Sequence, residues 1–466
     1  MATCYKEDKQ FETETSSVVS DGGALHRALK SSLVKSGGTM RHNSEVPGSR
    51  QKLWRSASLS LVCCLVAVTF TACSSGSSSS SSGTTSTAAL GKPNAATGST
   101  VNVGLIADTG GGTAGTGALV EQGAKAAVQF ANAYRGGLNG HKINLVVCEN
   151  QNTPAGGQNC ANQMVQQGVV AVVLPFTGQG QTEVPTITGA GIPYITLSGA
   201  STAELTTKGS FALGGGFPAI LGGFALYAKE HNLKKVAFIV SNVPAAIQGT
   251  QIFGGLVFKN AGVGFQAIPA NVGSADLTPE LQSAVSGGAS AIGIVGDVTL
   301  CSSFFSAYKT LSLTQPRFVI STCIDPSITN SSLEEVLKGS QVGAGNNISA
   351  ADQALYGALV TKYAPGVNPN PNLSTGQLGG VQPVFALLSI MQGYTGAVTA
   401  ASVLQQTETR QNVLLPFSGG LTFTCNGKAI PLLSSVCSAL SVIGVMGSGS
   451  TILNKKVYDT TPLFTG

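Results

Sequence analysis

From residue 101 onward, short apolar runs alternate with longer segments whose apolar residues recur with a helical period. The clearest run, Val169 to Leu174, consists of mostly β-branched residues and ends at Pro175. It is too short for a helix and typical of a buried strand. A helix-length segment to Ala190 and a second short strand, Ile192 to Leu197, follow it. This alternation predicts an α/β fold with mostly parallel sheets and helices on both faces.

Both of these strands end in turns built from Ser, Thr and Gly. The first turn is Thr177 to Gly180, and the second is Ser198 to Thr202. In an open α/β sheet, ligands bind beyond the carboxyl ends of the strands. Small hydroxyl residues and bare backbone N–H groups at a helix start suit an anionic ligand group such as a carboxylate. The alternative interpretation is a pair of ordinary strand-to-helix turns with hydroxyl caps.

Composition and motifs exclude several classes of function. Only 10% of the 466 residues are charged, and the net charge of +5 forms no basic stripe, so nucleic acid is not an expected partner. An apolar content of 42% excludes disorder of the whole chain. The sequence contains no GxSxG or HExxH motif, which argues against an enzyme. It also lacks CxxC, so neither a metal nor a cofactor is expected.

Residues 1–72 are predicted to be a leader and lipoprotein signal peptide, with Met40 as an alternative start to Met1. A basic segment with Arg41, Arg50, Lys52 and Arg55 precedes an apolar run, Ala57 to Phe70. This run is too short to span a membrane comfortably. The run leads into Cys73, and the sequence here resembles the bacterial lipoprotein box, whose cysteine is lipidated. Residues 73–100 are rich in Ser, Gly and Thr and predict a flexible tether. A plain signal peptide or a signal anchor with an incidental cysteine is the alternative.

After Cys73 the sequence contains six cysteines, an even set that in an exported chain indicates disulfides. Each sequential pair brackets one strand–turn–helix or loop unit, so local pairing is predicted among several possible connectivities. The predicted disulfides are Cys148–Cys160, Cys301–Cys323 and Cys425–Cys437.

Two stretches of the chain resemble a known family. Residues 101–147, VNVGLIADTGGGTAGTGALVEQGAKAAVQFANAYRGGLNGHKINLVV, look like the opening of the type I periplasmic solute-binding proteins. These are the leucine/isoleucine/valine-binding family of ABC-transporter receptors. Residues 170–201 resemble the next signature of that family, which is a strand, a small polar turn, a helix and a second strand. The resemblance implies two lobes, each with a mostly parallel sheet flanked by helices, joined by three hinge crossings. It assigns residues 101–216 plus 346–411 to lobe 1, and residues 217–345 plus 412–466 to lobe 2.

The resemblance also implies a function. The chain is expected to be an extracytoplasmic substrate-binding lipoprotein of an ABC importer, anchored by lipid to the outer face of the bacterial cytoplasmic membrane. Its expected partners are permease subunits and a small polar solute, which is amino-acid-like, an amide or a carboxylate. The alternative is a ligand-sensing or adhesive surface lipoprotein without a transport role.

Candidate ligand-binding residues follow from matching positions in the family. Lobe 1 is expected to hold a ligand carboxylate at its two polar turns, and lobe 2 is expected to offer a carboxylate to a ligand ammonium. The second lobe lacks the tyrosine that amino-acid binders carry after its first strand, so a standard branched-chain amino acid is not expected. For the two aspartates of the set, helix N-caps are the alternative. The candidates are Thr177, Gly178, Ala200, Ser201, Thr116, Asp297 and Asp325.

Overall fold

The computed structural model of the protein describes residues 87–110, 114–344, 348–372 and 374–465. The predicted signal peptide, Cys73 and the first part of the predicted tether lie outside the described residues. Among the helices that the structure describes, none combines the length and the apolar character needed to cross a bilayer.

The first lobe is built around a five-stranded parallel sheet. Its strands are β1 (Gly98–Ala107), β2 (His141–Glu149), β3 (Val172–Leu174), β4 (Tyr194–Thr196) and β5 (Ser210–Ala212). The helices between them are α1 (Ala114–Tyr134), α2 (Pro154–Gln166), α3 (Gly180–Gly189) and α4 (Thr202–Thr206). After the second lobe, the chain adds α12 (Ala350–Tyr363), α13 (Thr375–Met391) and α14 (Ala400–Thr409).

The second lobe is built around a seven-stranded sheet. Its parallel strands are β6 (Lys235–Ser241), β7 (Gly264–Ala270), β8 (Ala291–Val295), β9 (Arg317–Ile320) and β10 (Gln341–Ala344). Its helices are α5 (Gly216–Glu230), α6 (Pro244–Gly249), α7 (Gly255–Ala261), α8 (Thr278–Ser286), α9 (Val298–Thr310), α10 (Pro326–Thr329) and α11 (Glu334–Leu337). Two antiparallel strands complete it, β13 (Leu440–Met446) and β14 (Ile452–Asp459).

Each sheet is covered by helices on both faces, as the alternating pattern predicts. In the first lobe, α1 and α13 cover one face, while α2 and α3 cover the other with Met164 and Ile187. In the second lobe, α5 and α7 cover one face, where Phe224 stacks on Phe318, and α8 and α9 cover the opposite face. The predicted two-lobe α/β fold is confirmed.

Helices α1 and α13 approach closely because glycines face the backbone of the partner helix. A Cβ atom on Gly123 would lie 1.9 Å from the carbonyl oxygen of Gln377, and one on Gly380 would lie 1.9 Å from that of Val120. No side chain fits at these distances, so glycine is required at both positions. The contact fixes α13, from the late part of the chain, on the lobe that begins the fold.

All three predicted disulfides are present. Cys148–Cys160 links the end of β2 to α2, and Cys301–Cys323 links α9 to the turn after β9. Cys425–Cys437 closes a loop in the tail. The local pairing predicted from the sequence is therefore confirmed.

The tail divides between the two lobes, whereas the sequence placed all of residues 412–466 in lobe 2. Strands β11 (Val413–Leu414) and β12 (Thr422–Phe423) pair with each other, and Phe417 packs in the core of the first lobe. Backbone hydrogen bonds from Ala212 N–H to Ser435 and from Cys437 N–H to Ala212 then run along the edge of β5. From Leu440 the chain enters the second sheet as β13. The free edge of β5 provides backbone partners for this segment, which local sequence patterns do not reveal.

Candidate ligand-binding site

The order of the strands locates the expected site at one end of each sheet. The first sheet runs β2-β1-β3-β4-β5, and the parallel part of the second runs β10-β9-β8-β6-β7. In each sheet the second strand lies on one side of the first strand, and the later strands lie on the other side. The switch point is therefore between β1 and β3 in the first sheet and between β6 and β8 in the second. In open α/β sheets, ligands bind beyond the carboxyl ends of the strands at this switch point.

A buried polar network lies beyond the carboxyl end of β1, β2 and β3. Asp108 follows β1, Asn150 follows β2 and Thr177 follows β3, and these side chains are 9%, 0% and 1% exposed. The Asn150 amide nitrogen lies 2.6 Å from Asp108 Oδ1 and 2.9 Å from Glu183 Oε1. The Tyr194 hydroxyl donates to Glu183 Oε2 at 3.0 Å. The network joins three strand ends to helix α3.

Glu183 is the most strongly perturbed carboxyl group of this network. Burial raises its pKa to about 7, because ionisation without water is unfavourable. The hydrogen bonds from Asn150 and Tyr194 oppose this shift, while the charges of Asp108 and Glu204 add to it. The site is therefore rich in carboxyl groups, one of which changes protonation near neutral pH.

The predicted contacts of the first turn are made with Asp108. The Thr177 hydroxyl donates to Asp108 Oδ1 at 2.8 Å and accepts from the Gln179 N–H at 3.0 Å. The Gly178 N–H donates to Asp108 Oδ2 at 2.7 Å. The donors that the sequence assigned to a ligand carboxylate thus hold a carboxylate of the chain itself.

The second turn has the same arrangement with Glu204. Ser201 is the N-cap of α4 and forms a capping box with Glu204. The N–H groups of Ala200 and Ser201 donate to Glu204 Oε2 at 3.1 and 2.9 Å, and the Ser201 hydroxyl donates at 2.8 Å. Glu204 is fully buried, and burial raises its pKa. Its other oxygen, Oε1, is buried without a hydrogen-bond partner among the described residues.

Thr116, Asp297 and Asp325 are the remaining candidates. Thr116 is exposed in the first turn of α1. Asp297 follows β8, at the switch point of the second sheet, and caps α9 by accepting from the Leu300 N–H at 2.8 Å. Asp325 caps α10, accepting from the Ser327 N–H at 2.8 Å. Both aspartates thus occupy the N-cap positions that the sequence left as the alternative, and a contact with ligand stays a prediction.

Apolar surface and a small cavity accompany the polar turns. Phe176, directly before the first turn, is 49% exposed, and Val243, after β6 in the second lobe, is 39% exposed. A cavity of about 210 Å³ is lined by Ser198 of the second turn, by the crossing from Gly214 to Gly216 and by Ser441 of β13. A second cavity, of about 490 Å³, lies at the opposite end of the first sheet beside the turn that precedes β2, away from the polar network.

Comparison with known proteins agrees with the geometry. A family model described as periplasmic binding protein matches residues 100–432. The chain belongs to the periplasmic binding protein family. The predicted resemblance is thereby confirmed. A comparison with curated proteins gives no significant match.

Solved structures of periplasmic binding proteins share this fold at low sequence identity. A branched-chain amino acid transporter substrate-binding protein from Streptococcus pneumoniae, in complex with isoleucine, is 18% identical, with a TM-score of 0.60 over 77% of this chain and 99% of that one. A solute-binding protein from R. palustris, in complex with 4-hydroxybenzoate, is 16% identical, with a TM-score of 0.61 over 77% and 97%. A fatty acid ABC transporter substrate-binding protein from Thermomonospora curvata is 14% identical, with a TM-score of 0.62 over 80% and 96%.

Sequence reasoning missed the acidic side chains of this periplasmic binding protein, namely Asp108, Glu183 and Glu204. Glu204 could have been found from the sequence, because Ser201 followed three residues later by Glu204 is a capping-box pattern. Asp108 directly follows a predicted strand, but its partners lie 42, 69 and 70 residues further along the chain. No local pattern joins residues so far apart.

Proposed function

We propose that this protein is the extracytoplasmic substrate-binding component of an ABC importer, closing its two lobes on a small polar solute that is amino-acid-like, an amide or a carboxylate. The observation that carries the proposal is the family match over residues 100–432 on two α/β lobes joined by hinge crossings. Structures with this fold are described as binding isoleucine or 4-hydroxybenzoate, which are small solutes. The switch points of both sheets supply the expected place for such a ligand.

Hinge closure is the mechanism that this architecture supports. Within the described residues, the chain passes between the sheets after β5, after β10 and before β13. Rotation of the lobes about such connections closes a cleft around a ligand. A ligand docked on the first lobe would then be covered by the loops that follow β6 and β8.

Membrane attachment through lipid is the second part of the proposal. Cys73 follows an apolar run and precedes a Ser-rich stretch, the pattern expected for a lipidated cysteine and its tether. Labelling of cells with a fatty-acid analogue should mark the wild-type protein and not the Cys73→Ala variant. Equal labelling of the two would contradict the anchor.

The transport role is tested by combining binding with uptake. A thermal-shift screen of amino acids, amides and small carboxylates should find a solute that stabilises the purified protein. That solute should lower the radius of gyration measured by small-angle scattering, and deletion of the gene should abolish its uptake by cells. Binding and closure with unchanged uptake would favour the sensing role over transport.

A further inference from the structure

The backbone N–H groups of the two polar turns are already used inside the protein. Those of Gly178, Ala200 and Ser201 donate to Asp108 or Glu204 at 2.7, 3.1 and 2.9 Å. A backbone amide has one hydrogen to donate. These groups therefore hold the chain's own carboxylates in the manner expected for a ligand carboxylate.

The internal carboxylates are built into the turns and are not loosely placed. Glu204 is 0% exposed and Asp108 is 9% exposed. A Cβ atom on Gly180 would lie 2.3 Å from Glu204 Cδ, so the start of α3 accommodates this carboxyl group only because it carries glycine. The Asp108 carboxylate also accepts hydrogen bonds from Asn150 and Thr177. Displacement by a ligand would leave several buried groups unpaired.

The charge around the turns also opposes an anion. Among the described residues, the ion pairs are Lys125–Glu121 and Lys456–Glu230, and neither involves the carboxyl groups of this end of the sheet. The described residues also contain no group of carboxyl, imidazole or thiol side chains placed to hold a metal ion. A further carboxylate would lie near like charges without a compensating cation, which is unfavourable at low dielectric.

We propose that the first lobe prefers a ligand whose docking group is neutral, such as a carboxamide, over the matching carboxylate, with Asp108 and Glu204 setting this preference. The inference rests on the proposed receptor function and narrows its solute class. The exposed side chain of Phe176 directly precedes the first turn and would provide apolar surface for the rest of the ligand.

Matched probe pairs test the preference directly. Leucinamide against leucine, and 4-hydroxybenzamide against 4-hydroxybenzoate, differ chiefly in the group that would meet the turns. Calorimetry on the purified wild-type protein should show at least about tenfold tighter binding of an amide than of its carboxylate, the ratio that corresponds to about 1.4 kcal/mol. A carboxylate bound as tightly as its amide, with closure in scattering, overturns the preference and leaves the receptor function standing.

Substitution of Glu204 tests whether this residue causes the preference. Glu204→Ala frees the N–H groups of Ala200 and Ser201, so the ratio should fall by about tenfold, and sodium formate should raise its melting temperature more than sodium chloride does. Glu230→Ala removes an exposed carboxylate that contacts Lys456, frees no backbone donor and should show neither effect. An unchanged ratio in folded Glu204→Ala overturns the assignment to Glu204.

A second variant covers the case in which Glu204→Ala does not fold, and a solute screen tests the receptor function separately. Glu204→Gln keeps an acceptor oxygen for the capping box, so it serves if Glu204→Ala does not fold, and it too should lower the ratio because it removes the charge. If neither probe pair nor a broad solute screen changes the melting temperature or the radius of gyration, the receptor function fails and this inference fails with it.

Discussion

Replacing Thr177 by Val is a sharp probe of the polar network, because Val keeps the shape of the side chain and removes its hydroxyl. That hydroxyl is 1% exposed, donates to Asp108 Oδ1 at 2.8 Å and accepts from the Gln179 N–H at 3.0 Å. The hydroxyl also lies 3.1 Å from the Asn150 amide nitrogen and 3.3 Å from Glu183 Oε1. The variant therefore removes four contacts within hydrogen-bond distance, two of them to carboxyl oxygens.

The expected cost follows from the groups that lose a partner. Asp108 Oδ1 retains the Asn150 amide at 2.6 Å, whereas the Gln179 N–H loses its acceptor. A buried group left unpaired costs about 1–3 kcal/mol. We therefore expect Thr177→Val to lower the free energy of unfolding by about 1–3 kcal/mol, with a smaller effect on ligand affinity than the sequence interpretation implies.

Urea unfolding followed by circular dichroism measures this change. The urea concentration at the midpoint should fall, while the dependence of the free energy of unfolding on urea concentration should stay constant. Thr206→Val is the matched control, because its exposed hydroxyl donates only to the Thr202 carbonyl one helical turn earlier. Such a surface change should stay within about 0.5 kcal/mol. A Thr177→Val variant as stable as wild type that loses tenfold in affinity would refute this reasoning and favour a direct contact with ligand.

Three further substitutions test other parts of the structure. The pKa of Glu183 is raised from 4.5 to about 7, so the folded protein holds a proton that the unfolded chain loses, and stability falls as pH rises from about 4.5 to 7. Glu183→Gln should remove up to about 3 kcal/mol of this pH dependence, measured by urea unfolding at several pH values. If the stability of wild type and variant changed in parallel with pH, the raised pKa of Glu183 would be contradicted. Gly180→Ala should destabilise by about 1–3 kcal/mol through its clash with the capping-box carboxyl, whereas Gly189→Ala in the same helix, with no atom within 4 Å, should not. Joint Cys148→Ser and Cys160→Ser replacement should cost about 2–4 kcal/mol, and equal stability of that variant and oxidised wild type would count against the bond.

Local sequence patterns were enough to predict the class of fold and much of its local detail. Short β-branched runs such as the one ending at Leu174 became buried strands, because a run of that length and composition has few other ways to be buried. Asp297 and Asp325 became helix caps, one of the two interpretations that their positions allow. The disulfides were predictable because each joins neighbouring parts of one structural unit.

The hydrogen-bond partners of the polar turns depend on long-range packing. Gly178 and Asp108 are 70 residues apart and meet because β1 and β3 are adjacent in the sheet. The same holds for the tail, where the edge of β5 binds the segment around Ser435 in the first lobe. Sequence patterns report the periodicity of one segment, whereas hydrogen-bond partners depend on which strand ends lie side by side. The turns were therefore predictable as candidate anion sites, and only the folded chain showed that its own carboxylates occupy them.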